Sequence, residues 1–142
     1  MMAILATMAC AQKSYNSEQK DMRDKAFDFL RDEGFQPSID NDGDIMFWRG
    51  GKKYYIIVSD KDNSPFYLSL SIYFDYSDHL SKSKLLLYSS EINKYKMLKL
   101  YLSDNTFSLQ CQMFLTNIES FTAIFNRVLG IIDSAEDELS KL

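Results

Sequence analysis

The sequence predicts an α+β domain: an antiparallel sheet of five to six strands with helices at the N-terminus, in the middle and at the C-terminus. Three observations carry this. Residues 66–74 alternate apolar and polar with the period of two expected for a strand with one buried face. The pairs Asp42-Gly43 and Gly50-Gly51 separate β-rich runs and supply the positive φ that hairpins need. Helical periodicity opens and closes the chain, with the strands grouped between rather than alternating with helices. At 142 residues and 46% hydrophobic, the chain is long enough for one domain with its own core, over residues 12–142, and it contains no internal repeat or linker.

Residues 17–33 form the first predicted helix, with Ser17 as cap and Met22, Ala26, Phe29 and Leu30 on one face. Gly34 stops it, and Phe35 to Ile39, interrupted by Pro37, reads as a short edge strand. After the turn at Asp40–Asp44 come strands at 45–49 and 54–59, a turn at 61–65, and the strand 66–74. Residues 81–94 fit a short helix through Leu85, Tyr88 and Ile92. A hairpin of 95–102 and 106–115 follows, turning at Asp104-Asn105. Thr116 and Glu119 read as a capping box for the last helix, whose stripe is Phe121, Ile124, Phe125, Val128 and Ile132 and which continues into the acidic tail.

Residues 1–11, MMAILATMACA, are apolar and end in the small-x-small pattern Ala9-Cys10-Ala11 before Gln12-Lys13-Ser14. That is the pattern of a secretory signal and cleavage site, so export to the periplasm or medium is expected, with a mature chain starting at Gln12. Two rival readings stand beside it. Cys10 could carry a lipid, although Thr7 stands where a bacterial lipobox prefers Leu, or the segment could be an apolar arm of a cytoplasmic chain.

The order of elements resembles the YbjN family of sensory-transduction regulators, which shares the fold of type III secretion chaperones. The resemblance spans roughly Phe27 to Ile132. It rests on Leu30-x-x-x-Gly34-Phe35, the Asp42-Gly43-Asp44-Ile45 turn, the middle helix ending near Asn93, the strand Lys99-Leu100-Tyr101-Leu102 running to Leu109, and the Phe121-rich final helix. It implies a non-enzymatic domain that binds other proteins, in a regulatory or chaperone-like role.

Several function classes lose ground on composition. The formal charge is −4, and Lys and Arg form no stripe that could track phosphates, so a nucleic-acid partner is not expected. No run is long enough to span a membrane. A single histidine, His79, cannot build a histidine-based metal site, and no cofactor is expected. Asp40-Asn41-Asp42-Gly43-Asp44 echoes the start of a calcium loop, but the twelfth position from Asp40 is Gly51 rather than Glu, and a hairpin turn is the stronger reading. No nucleophile elbow or phosphate loop is present, and Cys111 falls on the inward side of its strand as a core thiol. The expectation is a non-catalytic protein.

The second face of the sheet is where function is expected. Alternation places Tyr67, Tyr73, Tyr95, Met97, Tyr101 and Phe114 opposite the core, with Trp48 and Met46 as neighbours, and serines, Lys99, Gln110 and Gln112 between them. Aromatic and methionine side chains spaced by small polar groups suit a protein or peptide partner. A helix or a homodimer could instead cover this face. A small-ligand or lipid-binding envelope domain, with an apolar pocket between helices and sheet, is the alternative function. An enzyme completed by another chain ranks last.

Overall fold

The computed structural model describes residues 12–142. The signal-like stretch 1–11, and Cys10 with it, lies outside the described residues. Among the described residues the order is α1 (Ser17–Asp32), β1 (Ser38–Ile39), β2 (Ile45–Arg49), β3 (Lys52–Val58), β4 (Phe66–Asp75), α2 (Lys82–Ile92), β5 (Leu98–Leu102), β6 (Thr106–Leu115) and α3 (Ile118–Ser140). The expected α+β architecture is present.

The strands form one antiparallel sheet in the order β1-β2-β3-β4-β6-β5. Tight turns join β2 to β3, where Gly50 and Gly51 both take positive φ (57° and 75°), as glycine does without steric cost. After β4 the chain passes through α2, runs out along the far edge as β5, and returns as β6 to pair with β4.

Helix α1 is capped one residue before the expected position, by Asn16 rather than Ser17. Asn16 and Gln19 exchange hydrogen bonds, each side chain with the other's backbone N–H, at 2.8 and 2.9 Å. The box requires Glu or Gln three residues after the cap; Asn16 has Gln19 there, whereas Ser17 has Lys20. Helix α3 is capped by Asn117 rather than Thr116: its side-chain oxygen accepts from the Ser120 N–H at 3.0 Å, and Ile118 becomes the first helical residue and is buried. At the end of α1, Gly34 takes φ 90° while Phe35 N–H bonds Leu30 and Gly34 N–H bonds Arg31. This is the glycine-dependent double hydrogen bond that closes many helices.

Two strands are shorter than expected: β1 keeps only Ser38–Ile39 of the stretch from Phe35 to Ile39, and β5 loses its first three residues. The sequence pattern places Tyr95 in β5, but the strand begins at Leu98. The Tyr95 N–H bonds Ile92 at the exit of α2, and Met97 takes φ 66°, so residues 95–97 turn rather than extend. As expected, α3 runs on through the acidic tail, where it adds Ala135 and Leu139 to the buried set.

All three helices bury their apolar faces in one cluster against the same side of the sheet. Met22, Ala26 and Leu30 come from α1, Leu85 and Ile92 from α2, and Phe121, Phe125 and Ile132 from α3. A polar clamp fastens the β2–β3 tip to α3. Arg49 donates two parallel hydrogen bonds of 2.8 Å to Asp133, Lys52 pairs with Glu136, and the buried Tyr54 reaches Glu136 at 3.4 Å. No helix among the described residues is long and apolar enough to cross a membrane.

Candidate functional site

Because all three helices pack on one side, the other side of the sheet is left without a helix among the described residues. Strand registers set out its side chains in rows. Tyr67 on β4 stands beside Phe114 on β6, Ser69 beside Gln112, Ser71 beside Gln110, and Tyr73 beside Ser108. On β5, Lys99 stands beside Gln110 and Tyr101 beside Ser108. On the opposite flank Tyr55 adjoins Ser71, and Trp48 adjoins Lys53. The small hydroxyls Ser69, Ser71 and Ser108 form a buried floor, and the aromatic side chains rise around it. Trp48, Tyr73, Met97, Tyr101 and Phe114 are exposed by 40–63% of their surface.

The residues expected on this face fall into three groups. Tyr67, Tyr95, Met97, Tyr101 and Phe114 come together around one open cleft of about 590 Å³, between β5, β6 and the turn that follows α2. Tyr95 reaches it from that turn, not from a strand. Tyr73 borders a smaller hollow beside Tyr101. Trp48 stands apart on β2, with the Lys53 ammonium 5.2 Å from its ring centroid, a cation–π distance.

A directed chain of polar groups runs from the cleft into the neighbouring hollow. Gln110 donates to Ser108 at 2.9 Å, Gln112 donates to Gln110 at 3.3 Å, and Gln112 also donates to the Tyr101 hydroxyl oxygen at 2.7 Å. The Tyr101 oxygen is therefore an acceptor within the chain, and its own O–H is left to donate outward. Burial raises the phenols of Tyr67 and Tyr73 above their usual range, so both remain protonated donors at neutral pH. Met97, at the cleft rim, is the one non-glycine residue with positive φ among the described residues. Such a conformation costs energy that its surroundings must offset.

Sequence reasoning named the aromatic residues but missed Tyr55, which meets Tyr73 edge-on at 5.5 Å. The run Tyr54-Tyr55-Ile56-Ile57 is apolar on both sides, so alternation gives no sign of its direction. Only the register against Met46 and Ser71 places Tyr55 outward.

The groups set aside for chemistry are separate. His79 is exposed ahead of α2, whereas Cys111 is fully buried and its thiol is pushed up to about 12 by burial. Asp40, Asp42 and Asp44 bring one oxygen each within 4.8 Å of the others. The turn itself accounts for this, since Asp40 accepts from the N–H groups of Asp42 and Asp44 and Lys13 pairs with Asp44. Burial raises the Asp44 carboxyl, with the Lys13 contact opposing. No protein-family model and no curated protein matches this sequence.

Proposed function

We propose that this chain is a non-catalytic protein- or peptide-binding domain, chaperone-like or regulatory, whose partner sits on the cleft of Tyr67, Tyr95, Met97, Tyr101 and Phe114. The observation that carries the reading is the clustering of exposed apolar side chains. Five of the large exposed hydrophobics share one sheet face that no described helix covers. Aromatic and methionine side chains offer large contact area with few rotamers to immobilise, and patches of this kind mark interaction sites. The alternative of a ligand held in an apolar pocket between helices and sheet has less support. The apolar hollow among Phe74, Leu80, Phe107 and Leu139 measures about 170 Å³, below the several hundred typical of ligand pockets. The hollow of about 350 Å³ between α1 and the start of α3 is lined largely by polar and charged residues, among them Glu18, Asp21, Lys25 and Glu119.

The resemblance to the YbjN family supports a bacterial regulatory setting for this reading, and export after Ala11 is part of the proposal. An intact mass beginning at Gln12 in the envelope or medium of the host would support export; a full-length cytosolic species would remove it. Binding is tested by selecting displayed random peptides against the protein and mapping them by amide chemical shifts. Selected peptides are expected to perturb β5, β6 and the 95–97 turn. The double variant Tyr101→Ser, Phe114→Ser should weaken them by roughly tenfold or more, as for loss of central aromatic anchors. Selection of peptides that bind elsewhere and ignore the double variant would reject this site.

A further inference from the structure

The partner's chemistry can be narrowed, and this step rests on the binding face proposed above. Lys99 is the one charged side chain among the described residues lining the cleft, in a protein whose formal charge is −4 and which carries 20 acidic residues. It makes no ion pair among the described residues, whereas Lys13, Lys20, Lys25, Arg49, Lys52 and Lys94 all do. Two residues on, and on the same side of β5, stands Tyr101, about 7 Å away along the strand. Its oxygen already accepts from Gln112, so its O–H remains available to donate to a further acceptor. A cation and a phenolic donor thus stand side by side among apolar rings, with no acidic side chain lining the cleft to answer them.

We infer that the cleft binds a peptide segment in which an acidic side chain adjoins an aromatic or aliphatic one. The carboxylate is held by Lys99 and the Tyr101 hydroxyl, and the apolar side chain lies on Tyr67, Met97 and Phe114. A second copy docking by the same face brings Lys99 and Lys53 into a surface that carries the same charges, which disfavours self-association there.

Three labelled peptides test this, sharing the centre Ser-Phe-Leu-Ser and flanked on each side by two Glu, two Ser or two Lys. Titrations at low salt, read by fluorescence anisotropy and by amide shifts of β5 and β6, should show the Glu peptide binding at least tenfold more tightly than the Ser peptide. The Lys peptide should be weakest. Lys99→Glu should reverse that order, and Lys99→Gln should bring the Glu peptide close to the Ser peptide. Added salt should narrow the difference, since the exposed part of the attraction is screened. If all three peptides bind the cleft equally, or Lys99→Glu leaves the order intact, the acidic preference is wrong while the binding face stands. If none of the three perturbs the cleft, both readings fall. If laurate occupies it more tightly than the Glu peptide, the occupant is a fatty acid and the peptide inference is overturned.

Discussion

The two faces of strand β4 are bordered by the same kinds of side chain and come to different ends. On the inner face the phenylalanines form a connected set. Phe29 meets Phe121 at 6.3 Å and Phe125 at 5.2 Å, and Phe125 also meets Phe35 and Phe47. On the outer face the rings meet in separate pairs, Tyr67 with Phe114 at 5.2 Å and Tyr55 with Tyr73 at 5.5 Å. Edge-on geometry is common to both faces, so ring orientation does not distinguish them. What differs is the second layer. Helices α1 and α3 enclose the inner rings, while Phe114 remains 63% exposed. An aromatic side chain on a strand is thus core only where the chain supplies something to cover it.

The largest expected effect follows directly. Phe125→Ala should destabilise the fold by about 3–5 kcal/mol, through lost burial and the cavity left among four other rings. Phe114→Ala should change stability by no more than about 0.5 kcal/mol, as for an exposed site. Urea unfolding at two protein concentrations checks both. A Phe114→Ala loss of several kcal/mol that grows with protein concentration would break the comparison, because it would mean that a second copy closes the outer face.

The inner face was legible in the sequence because two independent periodicities agree there. Strand 66–74 and the stripe Phe121, Phe125, Val128, Ile132 each point one side inward, and the core follows. Hairpin glycines fixed the local turns, but nothing local encodes that β6 pairs with β4 and leaves β5 at the edge. That choice depends on packing between distant segments. Both helix caps lay one residue from their expected places, since Asn, Ser and Thr stand adjacent and compete for the same backbone N–H groups. On the outer face the sequence identified the aromatics other than Tyr55, but not which of them meet. Tyr95 joins the cleft only because Met97 turns the chain, and no residue pattern announces a methionine with positive φ.

A second contrast lies between a cation that is answered by a carboxylate and a cation of the cleft that is not. At the β2–β3 tip Arg49 is held by Asp133, while Lys99 in the cleft has no such partner. The hydrogen bonds from Arg49, then its charge and that of Lys52, hold the Asp133 carboxyl below its usual 3.8. A carboxyl depressed in the folded state stabilises the fold above its unfolded pKa, and that contribution disappears as pH falls through the folded value. With both side chains partly exposed, at 34% and 43%, solvent screening limits the pair to roughly 0.5–1 kcal/mol. Asp133→Asn should therefore lower the urea midpoint at pH 7 and make little difference near pH 3. The comparison with wild type cancels the opposite trend of Asp44, whose carboxyl burial raises. An equal deficit at both pH values would show that the clamp works by packing rather than by charge.

An effect of similar size bears most directly on the cleft. Met97 holds φ at 66° while 40% of its surface remains exposed. A left-handed conformation costs a non-glycine residue about 1–2 kcal/mol, whereas glycine adopts it freely but loses more entropy on folding, by roughly 0.5–1 kcal/mol. Little core burial is lost when so exposed a side chain is removed. Met97→Gly should therefore raise stability by about 0.5–1 kcal/mol, the difference between those terms. The same substitution deletes an apolar wall of the cleft and should weaken the Glu-flanked peptide. Stability up with affinity down would place Met97 among residues kept for contact at the expense of the fold. Stability down would mean that its side chain supports the turn, and that Tyr95 and the rim depend on it for position.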